Sequence, residues 1–166
     1  TKIDKLHTDS HTDPMTGLFN RRAMQQMLDD YQAQSLPLAV IALDIDHFKT
    51  INDHFGHDVG DAVIVSLATL MQQDLRADAA LCRSGGEEFL LLLPGVSGVQ
   101  AERIAERLRL RVESDEMGQA GCITISLGVA HWPGDASDLG AVLKQADKAL
   151  YQAKHRGRNC VVVAGA

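Results

Sequence analysis

Long apolar runs are missing from this chain. No stretch approaches the ~20 residues that cross a bilayer. The opening residues do not read as a signal peptide. Positive charge is short as well: 16 Lys and Arg face 22 Asp and Glu, a net charge of −6. That excludes a nucleic-acid partner held by bulk positive charge, so any phosphate binding has to be local. Cysteine is scarce. Cys82, Cys122 and Cys160 lie far apart, each in a strand-like run, which is neither a zinc spacing nor a disulfide framework. They read as buried free thiols of a reducing compartment. Internal repeats and low-complexity segments are absent. What remains is an ordinary globular composition, 45% hydrophobic and 23% charged over 166 residues, enough for one domain with one core.

The stretch that stands out is Arg83-Ser84-Gly85-Gly86-Glu87-Glu88-Phe89. A strand-like run, residues 79–82, precedes it, and a purely apolar run, residues 89–93, follows. Two glycines between two such runs read as a hairpin turn, with positive φ at both central positions. Two glutamates then stand at the mouth of a strand expected to be buried, where a carboxylate is costly unless paired or cation-bound. Glycines also let a bulky ligand approach the backbone. A divalent metal and a polyanion would meet carboxylates here; a surface hairpin with two solvated glutamates is the plain alternative.

Along the chain, residues 1–12 read as the end of an upstream helix or linker, and 13–166 as the domain. The start at Thr1 suggests a piece of a longer protein. Asn20 is a candidate N-cap for an amphipathic helix over 21–33. The apolar run 38–43 predicts a central strand buried on both faces, ending in Asp44-Ile45-Asp46. Carboxylates at a strand end can hold a metal rigidly, or can cap the next helix. A short helical pattern over 47–55 and a longer one to about 75 flank a turn at 56–61. Asn52 and Asp61 lie on either side of it, suited to a purine edge or to capping. After the hairpin, Ser97 caps a predicted helix over 98–113. Residues 122–130 alternate as a strand, and 131–135 read as a loop. The last helix starts near Asp138 and closes at Gly157, and a short strand covers 160–163. Lys154 and Arg158 straddle its end, as dipole partners or as a phosphate clamp. Strands with helices between them predict an α+β fold, an α/β sandwich.

With these pieces placed, the chain resembles a GGDEF domain, the diguanylate cyclase family, in its Gly-Gly-Glu-Glu-Phe variant. The resemblance rests on four blocks in family order: Asp13 to Arg22, Asp44 through Asp61, the turn at 85–89, and Ala146 to Lys154 with Gly157-Arg158-Asn159. It implies a palm-like nucleotidyl cyclase fold with a central, mostly antiparallel sheet flanked by helices. It implies condensation of two GTP to cyclic di-GMP with loss of two pyrophosphates. Each domain would hold one GTP, so a homodimer would be needed. Carried over by position, Asp44 and Glu87 would bind Mg²⁺ or Mn²⁺ with the carbonyl of Ile45, and Glu88 would complete the acidic catalytic centre. Asn52 and Asp61 would read guanine. Phe48 and Lys49, with Lys154 and Arg158, would hold phosphates. An upstream sensory domain, a cytoplasmic location of the domain, with the parent protein attached to a membrane or not, and no nucleic-acid partner complete the expectation.

Some positions depart from the family pattern. An inhibitory product site, Arg-x-x-Asp, would start at Arg76, but Ala79 stands where its aspartate belongs, and Asp78 is one position early. Ordinary product inhibition is therefore not expected. His47 and Ser84 replace a frequent aromatic and a frequent tyrosine; neither belongs to the acidic centre. His57 fits a structural role in its turn. The competing readings are a catalytically silent module that binds GTP or cyclic di-GMP, against which the intact turn speaks, and an adenylate or mixed-nucleotide cyclase, against which Asp61 speaks.

Overall fold

The computed structural model describes residues 11–134 and 138–165. Its first helix, α1 (Arg21–Ala33), starts where Asn20 accepts the Ala23 N–H at 3.0 Å, and buries Ala23, Met24 and Leu28. Strand β1 (Leu38–Ile45) is buried along its whole length. Two helices follow, α2 (Phe48–Phe55) and α3 (His57–Asp74). Strands β2 (Ala80–Arg83) and β3 (Glu88–Pro94) form the hairpin. Helix α4 (Gly98–Ser114) begins in a reciprocal capping box between Ser97 and Gln100. Then come a 3-10 turn (Gly118–Ala120), β4 (Ile125–Trp132), α5 (Leu139–His155) and β5 (Val161–Val163).

The sheet order is β2-β3-β1-β4-β5. β1 is central and antiparallel to both β3 and β4, β2 is antiparallel to β3, and β5 alone runs parallel to its neighbour. Side chains alternate across a strand, so β1 feeds two cores. Ile41, Leu43 and Ile45 pack with Ile64, Leu67 and Met71 of α3 and Ala105 and Leu108 of α4. Leu38, Val40 and Ala42 pack with Met24 and Leu28 of α1 and Val142 and Ala146 of α5. Helices on both faces are why β1 is apolar without interruption from Leu38 to Leu43. Each fully buried Leu or Ile contributes about 1.5–3 kcal/mol.

One close approach sets the geometry of the site. α5 crosses β4 at Gly128, where an added Cβ would lie 2.3 Å from both the Ala146 carbonyl oxygen and the Leu150 nitrogen. Only glycine permits that crossing. It carries Lys154, one turn beyond Leu150, to the end of β1.

Several expectations are corrected. β4 starts at Ile125 rather than at 122, and runs on through His131 and Trp132, which had been expected in a loop; Asp135 of that loop lies outside the described residues. Cys82 is buried, but Cys122 is exposed and Cys160 half-buried. Apolar periodicity reports packing, and a lone cysteine at a strand margin need not share it. The glycines of the hairpin are not in the positive-φ region, where Gly17, Gly56 and Gly157 are found. Residues 84–87 bridge the strands as a wider loop, closed by the Ser84 N–H donating to the Glu88 carbonyl at 3.0 Å. The reading of residues 1–12 falls mostly on residues 1–10, which lie outside the described residues.

Candidate active site

The site is built at the end of β1. Register places Asp44 opposite Glu88 of β3 and Ser126 of β4. The Ile45 N–H points to the Glu87 carbonyl at 3.4 Å. The Asp44 side chain is only 4% exposed, and Lys154 Nζ donates to its Oδ2 at 2.5 Å. Burial pushes the Asp44 carboxyl above the usual range. The Lys154 bond and charge pull it down, and the charges of Glu87 and Glu88 push it up again. The net direction is upward, mainly a cost of burial that Lys154 does not fully offset.

Asp46, two residues on, does not cap α2. Its carboxylate accepts from Thr124 Oγ1 (2.7 Å), Ser126 Oγ (2.6 Å) and the Asn159 N–H (2.9 Å). It ties the end of β1 to the segment before β4 and to the left-handed backbone at Arg158 and Asn159. His47 is also left-handed, φ 56°, and turns the chain into α2 without a side-chain cap. The first N–H groups of α2 therefore have no cap in the chain.

Asp44, Ile45, Phe48, Lys49, Glu87, Lys154 and Arg158 line one open cavity of 270 Å³. The residues assigned to metal and to phosphate thus meet in one place, although they come from both ends of the chain. Glu88 does not line it. Its side chain faces a second, smaller cavity with Arg21 and Asp147. Asn52 and Asp61 lie by the start of α3, outside the first cavity. The Asn52 Oδ1 is buried with no hydrogen-bond partner among the described residues. Its amide lies on Gly60, where a Cβ would come within 1.8 Å of that oxygen. A buried acceptor left unpaired costs about 1–3 kcal/mol. Arg76 and Asp78 are at the opposite end of α3, about 20 Å from Asp61 along the helix axis. They bind each other, Nε and Nη2 to the two carboxylate oxygens at 2.5 and 2.8 Å.

Arg83 was missed as a functional position. Its Nε and Nη2 donate to the Gly86 carbonyl at 3.1 and 2.7 Å, and its Nη1 to both oxygens of Asp13 at 3.2 and 3.1 Å. Asp13 also accepts from the N–H and hydroxyl of Thr16. Burial raises the Asp13 carboxyl, but the Thr16 and Arg83 bonds outweigh it and hold it below its usual value. The opening block is therefore a bracket for the glutamate loop. Its only sequence signal was an arginine inside the loop stretch and an unexplained aspartate far upstream.

A divalent metal fits the donors present. Asp44 and Glu87 offer hard carboxylate oxygens in one cavity, where an added positive charge would offset the cost of keeping the buried Asp44 ionised. Among the described residues no group of three or more His, Cys, Asp or Glu side chains could hold a metal. Two carboxylates completed by water and substrate phosphates is how Mg²⁺ is commonly held.

A mixed sheet between helices, with carboxylates at the end of its central strand, is the α+β nucleotidyl cyclase fold. A family model, "Diguanylate cyclase, GGDEF domain", matches residues 10–160, and the chain belongs to that family. It is 42% identical over 160 residues to the response regulator PleD of Caulobacter vibrioides, covering 91% of this chain and 35% of that protein. The coiled-coil and GGDEF structure of DgcB from Caulobacter crescentus, in complex with c-di-GMP, superposes with a TM-score of 0.90 at 31% identity, covering 98% of this chain and 90% of that one. The active GGEEF domain of a diguanylate cyclase from Vibrio cholerae gives a TM-score of 0.77 at 33% identity, over 86% of this chain and 96% of that one. The chain spans 35–45% of the length of the curated relatives it matches first.

Proposed function

We propose that this domain is a diguanylate cyclase, condensing two GTP to cyclic di-GMP across two facing copies. The observation that carries the reading is the single cavity shared by Asp44 and Glu87 with Lys49, Lys154 and Arg158. Carboxylates for a cation and cations for phosphates are what a nucleoside triphosphate needs on one surface. The names of the relatives, and a neighbour described as an active GGEEF domain, support it.

In this reading Asp44 and Glu87 hold Mg²⁺ or Mn²⁺ with the Ile45 carbonyl. When bound, the ion supplies charge that polarises the α-phosphate and stabilises the leaving pyrophosphate. Lys49, Lys154, Arg158 and the first N–H groups of α2 hold the phosphates. Asn52 and Asp61 take the guanine, and a donor from the base would satisfy the orphaned Asn52 oxygen. The 3′-oxygen of the partner's GTP attacks the α-phosphorus, the bond to the β-phosphate bridging oxygen breaks, and pyrophosphate leaves with the electron pair. The hydroxyl proton is lost to a base. Glu88, at the end of β3, belongs to the acidic centre from the side of the incoming nucleotide. The reading also keeps an upstream sensory domain and a location on the cytoplasmic side, where GTP is. No helix of the described residues is long and apolar enough to cross a membrane.

The test is incubation with GTP and Mg²⁺ across a range of protein concentrations, products being separated by chromatography. Cyclic di-GMP rising more than linearly with protein is the expected result, because two domains must meet. Added cyclic di-GMP should inhibit little, since Arg76 is paired with Asp78 and Ala79 offers no carboxylate. GTP binding without product at any concentration would overturn the reading in favour of a silent module.

A further inference from the structure

A second cavity adjoins the glutamate pair: Glu87 lines the first cavity and its chain neighbour Glu88 lines this one. It holds 120 Å³ and is lined by Arg21, Ser84, Glu88 and Asp147 over an apolar floor that includes Leu90 and Leu143. That is less than half the 270 Å³ of the first cavity and below the roughly 300–1,000 Å³ of ordinary ligand sites, so it suits part of a ligand, such as the hydroxyl edge of a sugar. The three charges sense one another. Burial and the Glu88 charge raise the Asp147 carboxyl, and Arg21 lowers it. All three are exposed, and among the described residues no ion pair joins them, so each keeps hydrogen-bonding capacity for a ligand in the cavity they line. The Glu88 carboxylate folds to within 3.3 Å of where a Cβ of Gly85 would stand. Gly86 leaves the outer face of the loop bare, with nothing near its own Cβ position.

Chemistry fixes where an incoming sugar must be. In-line attack needs the 3′-oxygen about 3–3.5 Å from the α-phosphorus. The partner's ribose therefore sits against the residues around that phosphate, and its 2′-hydroxyl one carbon further on. Asp44 and Glu88 are register partners, so the small cavity opens beside that point. A carboxylate is the acceptor that a ribose hydroxyl seeks. We propose that Asp147, with Glu88, accepts the 2′-hydroxyl of the incoming nucleotide's ribose and thereby makes the reaction select ribonucleotides. Arg21 lines the same cavity, and its charge partly offsets what raises the Asp147 carboxyl. The proposal rests on the cyclase reading above.

The test compares the unaltered domain with Asp147→Asn, Asp147→Ala and the exposed neighbour Lys144→Ala. Turnover is measured with GTP and with 2′-deoxy-GTP, and GTP affinity separately with Ca²⁺ in place of Mg²⁺. Loss of a hydrogen bond to a charged group should slow the GTP reaction about ten-fold or more in both Asp147 variants. The 2′-deoxy reaction should change less than about two-fold, since that contact is already gone. GTP affinity and the Lys144→Ala rates should not move. An equal fall with both nucleotides would mean a structural role and overturn the proposal, as would no fall with GTP. If the unaltered, folded domain makes no cyclic dinucleotide, the cyclase reading fails and this subsite with it. If it is active and indifferent to Asp147, only the subsite fails.

Discussion

Asp44 and Asp46 stand two residues apart on one strand, both almost fully buried, and their environments are opposite. Asp46 borders the same cavity as Asp44, but its carboxylate already has three donors directed at it. Asp44 has one lysine, two nearby glutamates and an open cavity. The difference teaches that burial alone does not mark a reactive carboxylate. A carboxylate whose neighbours satisfy it is architecture; one whose cost of burial its neighbours do not fully offset, in a cleft, is a candidate for chemistry.

The largest expected effect is beside Asp44. Glu87→Gln keeps the shape but removes a cation-binding charge. It should cut turnover by about 10³-fold or more, with circular dichroism and melting unchanged. Near-normal turnover in the folded variant would break the assignment. For the carboxylate already satisfied by the fold, Asp46→Ala strands the buried Ser126 hydroxyl and the half-buried Asn159 N–H. A stability loss of about 2–4 kcal/mol is expected from urea melts; a loss under about 0.5 kcal/mol would show that the three bonds do not matter.

Arg83 tests whether the glutamate loop needs its bracket. Arg83→Ala should lower stability by about 1–2 kcal/mol and activity by about ten-fold or more. Arg83→Lys should rescue neither, because an ammonium cannot span the Gly86 carbonyl and the Asp13 carboxylate in one plane. Full rescue by lysine would reduce the role to charge alone.

The smallest effect sharpens the contrast through pH, read by thermal melts without metal. The Asp44 carboxyl is raised on folding, so its protonated form is favoured by the fold. Its contribution is fully present below the unfolded value of about 4 and is lost as pH rises through the folded value. Asp44→Asn should remove that loss, so its advantage over the parent grows with pH above about 4 and then levels. Asp13 is lowered on folding, so it stabilises above about 4, and that stability goes as pH falls through its folded value. Asp13→Asn should therefore destabilise at neutral pH and converge with the parent in acid. Parallel pH curves for either variant and the parent would sink the corresponding environment.

Much of the fold was legible. The bounds of α1, its Asn20 cap, the Ser97 cap of α4, and the uninterrupted apolar run of β1 all follow from local periodicity and local hydrogen bonding. The family blocks also put Asp44, Glu87 and Lys154 on one list before any geometry was known. The less legible features were those that depend on contact at a distance. The 3-10 turn, the true start of β4, and the wide loop at Gly85 and Gly86 follow from packing rather than pattern. Sequence alone leaves Asp46 between a metal carboxylate and a helix cap because its three donors, at 124, 126 and 159, are remote in sequence.

From sequence alone came the class of fold, the order of its elements and the inventory of charged groups at the site, because side-chain period and short motifs are local properties. Only the tertiary structure decided which carboxylate has its hydrogen bonds filled by the fold and which does not, that Glu88 turns to a second cavity with Asp147, and that Arg83 links the glutamate loop to Asp13. Those outcomes depend on strand register and on the close crossing of α5 over Gly128. Register and helix crossing arise only when distant segments pack, so no local pattern carries them.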